Sequence, residues 1–241
     1  MIEISKLIAR SKNSFEDDPK KLGSLQKDQP LVVTHNTQRL ILEPIWQQPV
    51  DDIEGPLYRQ YIRDNPKYDS IFLRREVAKR LYLAAENLPN HLKLVIRAGH
   101  RPLPVQRKVL QGVLERYLHE NPFATHEKAL MYARTFVDDP AIKFPSHCCG
   151  SAVDVDIFDI NSQKLVDFGS QVNTSTDISF LHSSKINETQ YANRMTLLTA
   201  MLSASFAPSF VEWWHFSYGD TVWAYFYEKP NSLYGVVEPT L

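Results

Sequence analysis

The stretch "FPSHCCGSAVDVDIF", Phe144 to Phe158, decides how the rest of the chain is read. After Gly150 the residues alternate, and in an extended strand successive side chains point to opposite faces. Val153, Val155 and Ile157 therefore share one face, and Ala152, Asp154 and Asp156 the other. The apolar face belongs in a core; the acidic face must meet water or a cation. Gly150 permits a tight bend that brings His147 back over Asp154. Both cysteines of the chain also lie here, side by side. Vicinal thiolates are poor joint ligands for one tetrahedral ion, because the usual zinc knuckles separate their cysteines by two or more residues. Cys148 and Cys149 read instead as small side chains packed beside the site.

A catalytic metal with an open position needs about three protein ligands, so one more must come from elsewhere. "EWWH", Glu212 to His215, is the best source. The surrounding Trp, Phe and Tyr favour strand, which would put Glu212 and His215 on opposite faces. Joint service at one site therefore requires a bend or bulge there. His215 would then bind the ion and Glu212 act as general base. The plain alternatives remain open on spacing alone: Asp154 and Asp156 as solvated strand residues, the tryptophans as core, and each histidine as an ordinary surface or core residue.

Working outward, "LVVTHNTQRLILEPIW" from Leu31 gives two short strands, and Phe72, Val77, Leu81 and Ala84 recur at helical spacing over Ser70 to Asn87. "LKLVIRAGHRP" from Leu92 is a buried strand entering a loop. A helix follows Pro104, and another opens at Thr125 as N-cap and stops before Pro140. A further helix spans roughly Thr189 to Ser205, and "SFVEWWHFSYGDTVWAYFYE" reads as strands around a Tyr-Gly-Asp turn. Helices and strands come in mixed order with no βαβ rhythm, which predicts an α+β fold. Residues 1–30 read as a polar lead-in and 31–241 as a single domain. Lys+Arg 27 against Asp+Glu 28 leaves a charge of -1 and no basic stripe, which argues against a nucleic-acid partner. No segment is apolar enough to span a bilayer, and the N-terminus does not read as a secretory signal. Two adjacent cysteines fit a reducing, cytoplasmic setting, with a periplasmic one as the alternative if a signal has been removed.

The ordered set Ser146, His147, Gly150, Ala152 and Asp154, followed by Glu212-Trp213-Trp214-His215, resembles the zinc D-alanyl-D-alanine dipeptidases of the vancomycin-resistance type. "AGHRP" (98–102) is similar to that family's Gly-Tyr-Arg-Pro segment and "VDFGS" (166–170) to its Asp-Met-Gly-Thr segment. "ANRMTLLTAM" with "EWWHFSYGDTVWAY" is similar to its C-terminal helix and strands. The resemblance implies an antiparallel sheet carrying the metal within an α+β domain flanked by helices. It implies one zinc per chain on His147, Asp154 and His215, with Glu212 as base, Arg101 as oxyanion donor and a small cell-wall peptide, D-Ala-D-Ala, as substrate. Ser146 would help to hold the substrate's carboxylate.

Two departures from the family bear on substrate. His100 stands where a tyrosine is usual, and Asn173 stands where an aspartate would pair with the dipeptide's ammonium. Asn offers that group no charge, and Asp177 replaces it only if the loop is reregistered. Same-fold alternatives are a zinc peptidase for another D-amino-acid or cell-wall-derived peptide, and a zinc-containing binding module without catalysis. Oligomeric state is not legible in the sequence.

Overall fold

The computed structural model describes residues 23–24, 29–48 and 52–239. The expected lead-in therefore falls almost wholly outside the described residues. In chain order the elements are β1 (Gly23–Ser24), β2 (Leu31–Val33), β3 (Leu40–Leu42), α1 (Glu54–Asp64), β4 (Phe72–Arg74), α2 (Arg75–Glu86) and β5 (Leu92–Ala98). There follow α3 (Leu103–Glu120), α4 (His126–Phe136), β6 (Ala152–Asp159), β7 (Lys164–Leu165) and α5 (Glu188–Ser203). The chain closes with β8 (Ala207–Pro208), β9 (His215–Ser217), α6 (Thr221–Phe226) and β10 (Asn231–Ser232). The α+β expectation holds. The sheet runs β3-β5-β6-β9-β8, with β7 also on β6, and it is mixed rather than wholly antiparallel because β3 pairs parallel with β5.

Strand β6 is the centre of this sheet. Ala152 to Ile157 are buried at every position, so both its faces are covered, the usual condition of a central strand flanked by helices. Val153, Val155 and Ile157 enter the core with Leu94, Ile96, Val77, Leu81 and Leu197. The acidic face divides its charge. Asp156 meets a cation, Arg97, at 3.2 Å, and that guanidinium also reaches Glu43 at 2.8 Å. Between Ile96 and Ala98 the pairing of β5 with β6 shifts register, a bulge centred on Arg97.

Two readings are corrected and one helix is added. The helix expected from Ser70 begins at Arg75, because Phe72 to Arg74 pair antiparallel with β2 as β4. Aromatic density after Gly219 suggested strand, but Asp220 caps the segment by accepting from the Trp223 amide, and Thr221 to Phe226 form α6. Helix α1 was not read from the sequence at all. The capping expected at Thr125 is present, its hydroxyl accepting from the Lys128 amide. Among the described residues no helix is long and apolar enough to cross a membrane.

A late segment, residues 233–238, straps the loops on which the site is built. The Val237 amide donates to the Cys148 carbonyl at 3.0 Å, and the Val237 carbonyl lies 2.7 Å from His100 Nε2. Arg74 donates to the Gly235 carbonyl at 3.0 Å, and the Tyr68 hydroxyl to Glu238 at 2.6 Å. His100 thus has a definite task where the family usually has tyrosine. Its Nδ1 is buried without a partner, and burial pushes its pKa down to about 4.

That depression fixes a pH dependence. Between about 6.5 and about 4 the unfolded chain takes up a proton that folded His100 refuses, so the stability tied to neutral His100 is intact above this window and lost as pH falls through it. His100→Gln keeps a donor toward Val237 but does not titrate. In zinc-free protein its urea midpoint should fall less between pH 7 and 4.5 than that of the parent; equal losses would sink the assignment.

Candidate metal centre and catalytic cavity

His147 opens a single 3-10 turn, His147–Cys149, that ends at Gly150 in the left-handed region with φ 66°. A Cβ at Gly150 would press on the tip of the Leu31 side chain, but it is the positive φ that makes this reversal favour glycine. It carries His147 over β6, where its Nε2 lies 3.3 Å from Asp154 Oδ2. His215 arrives by a different route. In the β6–β9 ladder it sits directly opposite Asp154, on the same face, with Nδ1 3.1 Å from Asp154 Oδ1. The His215 and His147 ring nitrogens are 3.2 Å apart.

This triangle fits a zinc ion. Ligands on a tetrahedral zinc at about 2.0–2.1 Å stand about 3.3 Å from one another, and here the two ring nitrogens are 3.2 Å apart while each meets a different oxygen of Asp154, at 3.1 and 3.3 Å, with one donor atom from each residue within 4.8 Å of the others. His147 Nδ1 lies 2.8 Å from the Gly99 carbonyl and donates to it, which leaves Nε2 with its lone pair facing inward. Two ring nitrogens and a carboxylate converging this closely form a donor set that could hold a metal ion. Although burial opposes ionisation of Asp154, His147 and His215 hold its carboxyl well below the usual range. Against the same burial, Asp154 raises His215 to about 9. Cys148 and Cys149 are free, fully buried and outside the triad; burial pushes the Cys148 thiol up to about 12.

Glu212 and His215 share the site without any strand bulge. The segment from Glu212 is a turn closed by the His215 amide on the Glu212 carbonyl at 3.2 Å, and only at His215 does β9 begin. The turn brings Glu212 Oε2 to 3.8 Å from His215 Nδ1, and burial pushes the Glu212 carboxyl up to about 8. Trp213 and Trp214 anchor the turn in the core, Trp213 stacked on Phe168 with centroids 4.1 Å apart.

A cavity of about 270 Å³ collects the expected residues: Arg101, Ser146, His147, Asp154, Asn173, Glu212 and His215 all line it. Arg101 is buried and held by groups that the sequence reading missed. Glu54 accepts from its Nε at 3.2 Å and its Nη2 at 2.5 Å, and Gln106 from its Nη1 at 2.8 Å. Asp138 was likewise missed. It accepts from the Ser146 amide at 3.1 Å and pairs with Lys143; against burial, these contacts lower its pKa to about 2. Asn173 adopts φ 67° and donates to Asp52 Oδ2 at 2.8 Å, so a carboxylate does stand beside it, from another segment. Asp177 does not replace it, being exposed and paired with Lys185 at 2.7 Å. No local motif marks Glu54 or Asp52, which lie 47 and 121 residues from their partners.

The family model described as D-ala-D-ala dipeptidase matches residues 62–233. The chain belongs to that family. It is 26% identical over 227 residues to a D-alanyl-D-alanine dipeptidase of Synechocystis sp., covering 82% of this chain and 92% of that protein. It also aligns with a solved structure of a glutamate-to-alanine mutant of the vancomycin resistance D,D-pentapeptidase VanY, from a VanB-type resistance cassette, in complex with Zn(II). That alignment has 16% identity and a TM-score of 0.37, covering 66% of this chain and 80% of that one. With family membership and the His147, Asp154 and His215 cluster together, the chain is a zinc metallopeptidase.

Replacing Cys148 and Cys149 together with alanine should leave zinc per folded chain unchanged, while Asp154→Ala should abolish it. Metal analysis after dialysis decides; zinc loss from the cysteine variant would overturn the ligand set.

Proposed function

We propose that the protein hydrolyses D-Ala-D-Ala. The observation that carries the reading is one small cavity in which the metal triad, Glu212, Arg101 and Ser146 all present side chains. When bound by His147, Asp154 and His215, zinc supplies Lewis acidity toward a carbonyl oxygen and lowers the pKa of water. Glu212 accepts the proton of the attacking water and returns it to the departing amine. Three of the five N–H groups of Arg101 are taken by Glu54 and Gln106, and Tyr58 stands beside it; what remains of its donor edge serves the oxygen that gains charge. Ser146, its amide held by Asp138, offers its hydroxyl to the substrate carboxylate, with Lys143 offsetting the charge of Asp138. At the other end Asn173 faces the substrate ammonium, and Asp52 supplies the negative charge behind it. A cytoplasmic location remains part of this proposal.

A second reading, a longer cell-wall-derived peptide, is favoured by one feature. A further cavity of about 250 Å³ adjoins the first and shares Ile53, Val113, Arg116, Asn173 and Ser175 with it. A non-catalytic binding module is disfavoured, because a structural zinc requires neither Glu212 nor Arg101.

The direct test is D-Ala-D-Ala hydrolysis by purified protein with and without a chelator, alongside zinc quantification and a D-Ala-D-Ala-terminated tripeptide. Chelator-sensitive cleavage of the dipeptide supports the first reading, and cleavage of the tripeptide alone moves the assignment to the second. Glu212→Gln should keep zinc and lose kcat by about 10²–10⁴-fold; near-normal turnover would remove its role as base. Asn173→Asp should lower kcat/KM on the dipeptide, since two carboxylates would then meet at Asp52. A gain would show that the charge belongs at position 173.

A further inference from the structure

Glu54 lies in the first turn of α1, ahead of the residues matched by the family model, and both it and Arg101 are almost wholly buried. Its two carboxylate oxygens take the Nε and Nη2 edge of the guanidinium, the paired geometry that fixes the plane of an arginine as well as its position. Gln106 takes Nη1, and its own amide donates to the Asp138 carbonyl at 2.7 Å, linking the guanidinium to the residue that holds Ser146. A buried guanidinium without a counter-charge is costly, and the cost rises beside a site that takes a dication. Glu54 removes it, so that Arg101 can stand near the metal ligands as a hydrogen-bond donor with no net charge of the pair.

We propose that Glu54 is a positioning residue for Arg101, cancelling its charge and holding the guanidinium so that its remaining donor edge faces the cavity it lines. This rests on the reading of Arg101 as the donor to the developing oxyanion. Arg101 then contributes hydrogen bonds that strengthen as negative charge appears on the substrate, while the resting pair neither repels the metal nor captures the substrate carboxylate.

The test compares Glu54→Gln, Glu54→Asp, Arg101→Gln and the double variant Glu54→Gln/Arg101→Gln. Each is measured for zinc content, kcat, KM, affinity for a phosphinate analogue of the dipeptide, and melting temperature in zinc-free protein. Glu54→Gln should retain zinc, lose kcat by roughly ten- to a hundredfold with KM changed less than about threefold, and bind the tetrahedral analogue more weakly by the same factor. Glu54→Asp should restore part of the loss. The double variant, with no buried lone charge, should melt no lower than Glu54→Gln alone, a readout that stands even if the single variant folds poorly. Parental kcat and analogue affinity in Glu54→Gln, with both lost in Arg101→Gln, would overturn the positioning role; so would melting losses that simply add in the double variant. If Arg101→Gln itself keeps full activity, the failure lies with the oxyanion reading, and the melting comparison still decides whether Glu54 neutralises Arg101.

Discussion

The pairing of Asp154 with His215 across β6 and β9 is the constraint on which the rest depends. Side chains in a ladder alternate with a period of two, so a slip of one residue would turn Asp154 into the core and Val153 or Val155 toward the cavity. The register is held on both sides. Val153, Val155 and Ile157 are packed against apolar neighbours, and Asp156 is committed to Arg97. The metal centre thus inherits its precision from the sheet, while His147 needs only a glycine-dependent reversal to complete it. A site assembled on a buried central strand loses little geometry to thermal motion, in keeping with the demand for pre-formed ligands.

What could be read in the sequence follows from the range of the physics involved. Alternation within ten residues separated Asp154 from Val153, and Gly150 marked the reversal that returns His147, since both signals are local. His215 was legible as a candidate and does join the His147 and Asp154 cluster, but its route was not: a bend or bulge within a strand was expected, and a hydrogen-bonded turn from Glu212 is found. Aromatic content misled at Thr221 to Phe226, where a single cap at Asp220 outweighs strand preference. Phe72 stands at helical spacing yet belongs to β4, because tertiary pairing with Val33 overrides local periodicity. Glu54 and Asp52 were beyond reach, since their partners Arg101 and Asn173 meet them only through the packing of α1 on the domain.

Charge organisation explains why so many ionised groups tolerate burial here. Each is met by a specific counter-group: Arg101 by Glu54, Asp156 by Arg97, Asp138 by Lys143, and Asp154 by two histidines. Burying such groups singly would cost several kcal/mol each, so the site is an interlocked set whose members depend on one another. Asn173 follows the same pattern of specific partnering, its amide donating to Asp52 at 2.8 Å.

The strap formed by residues 233–238 bears on how the molecule is made. It bonds to the backbone of Cys148, next to His147, and to His100, next to Arg101. Synthesis proceeds from the N-terminus, and earlier segments emerge before later ones. On the ribosome, the loops bearing His147 and Arg101 therefore wait for two late arrivals, the third ligand at His215 and then the clamp at Val237. A nascent or prematurely terminated chain that has made β5 and β6, which pair across two intervening helices, still lacks His215 and the strap. The scaffold that the early strands begin is thus completed by the last elements to be made.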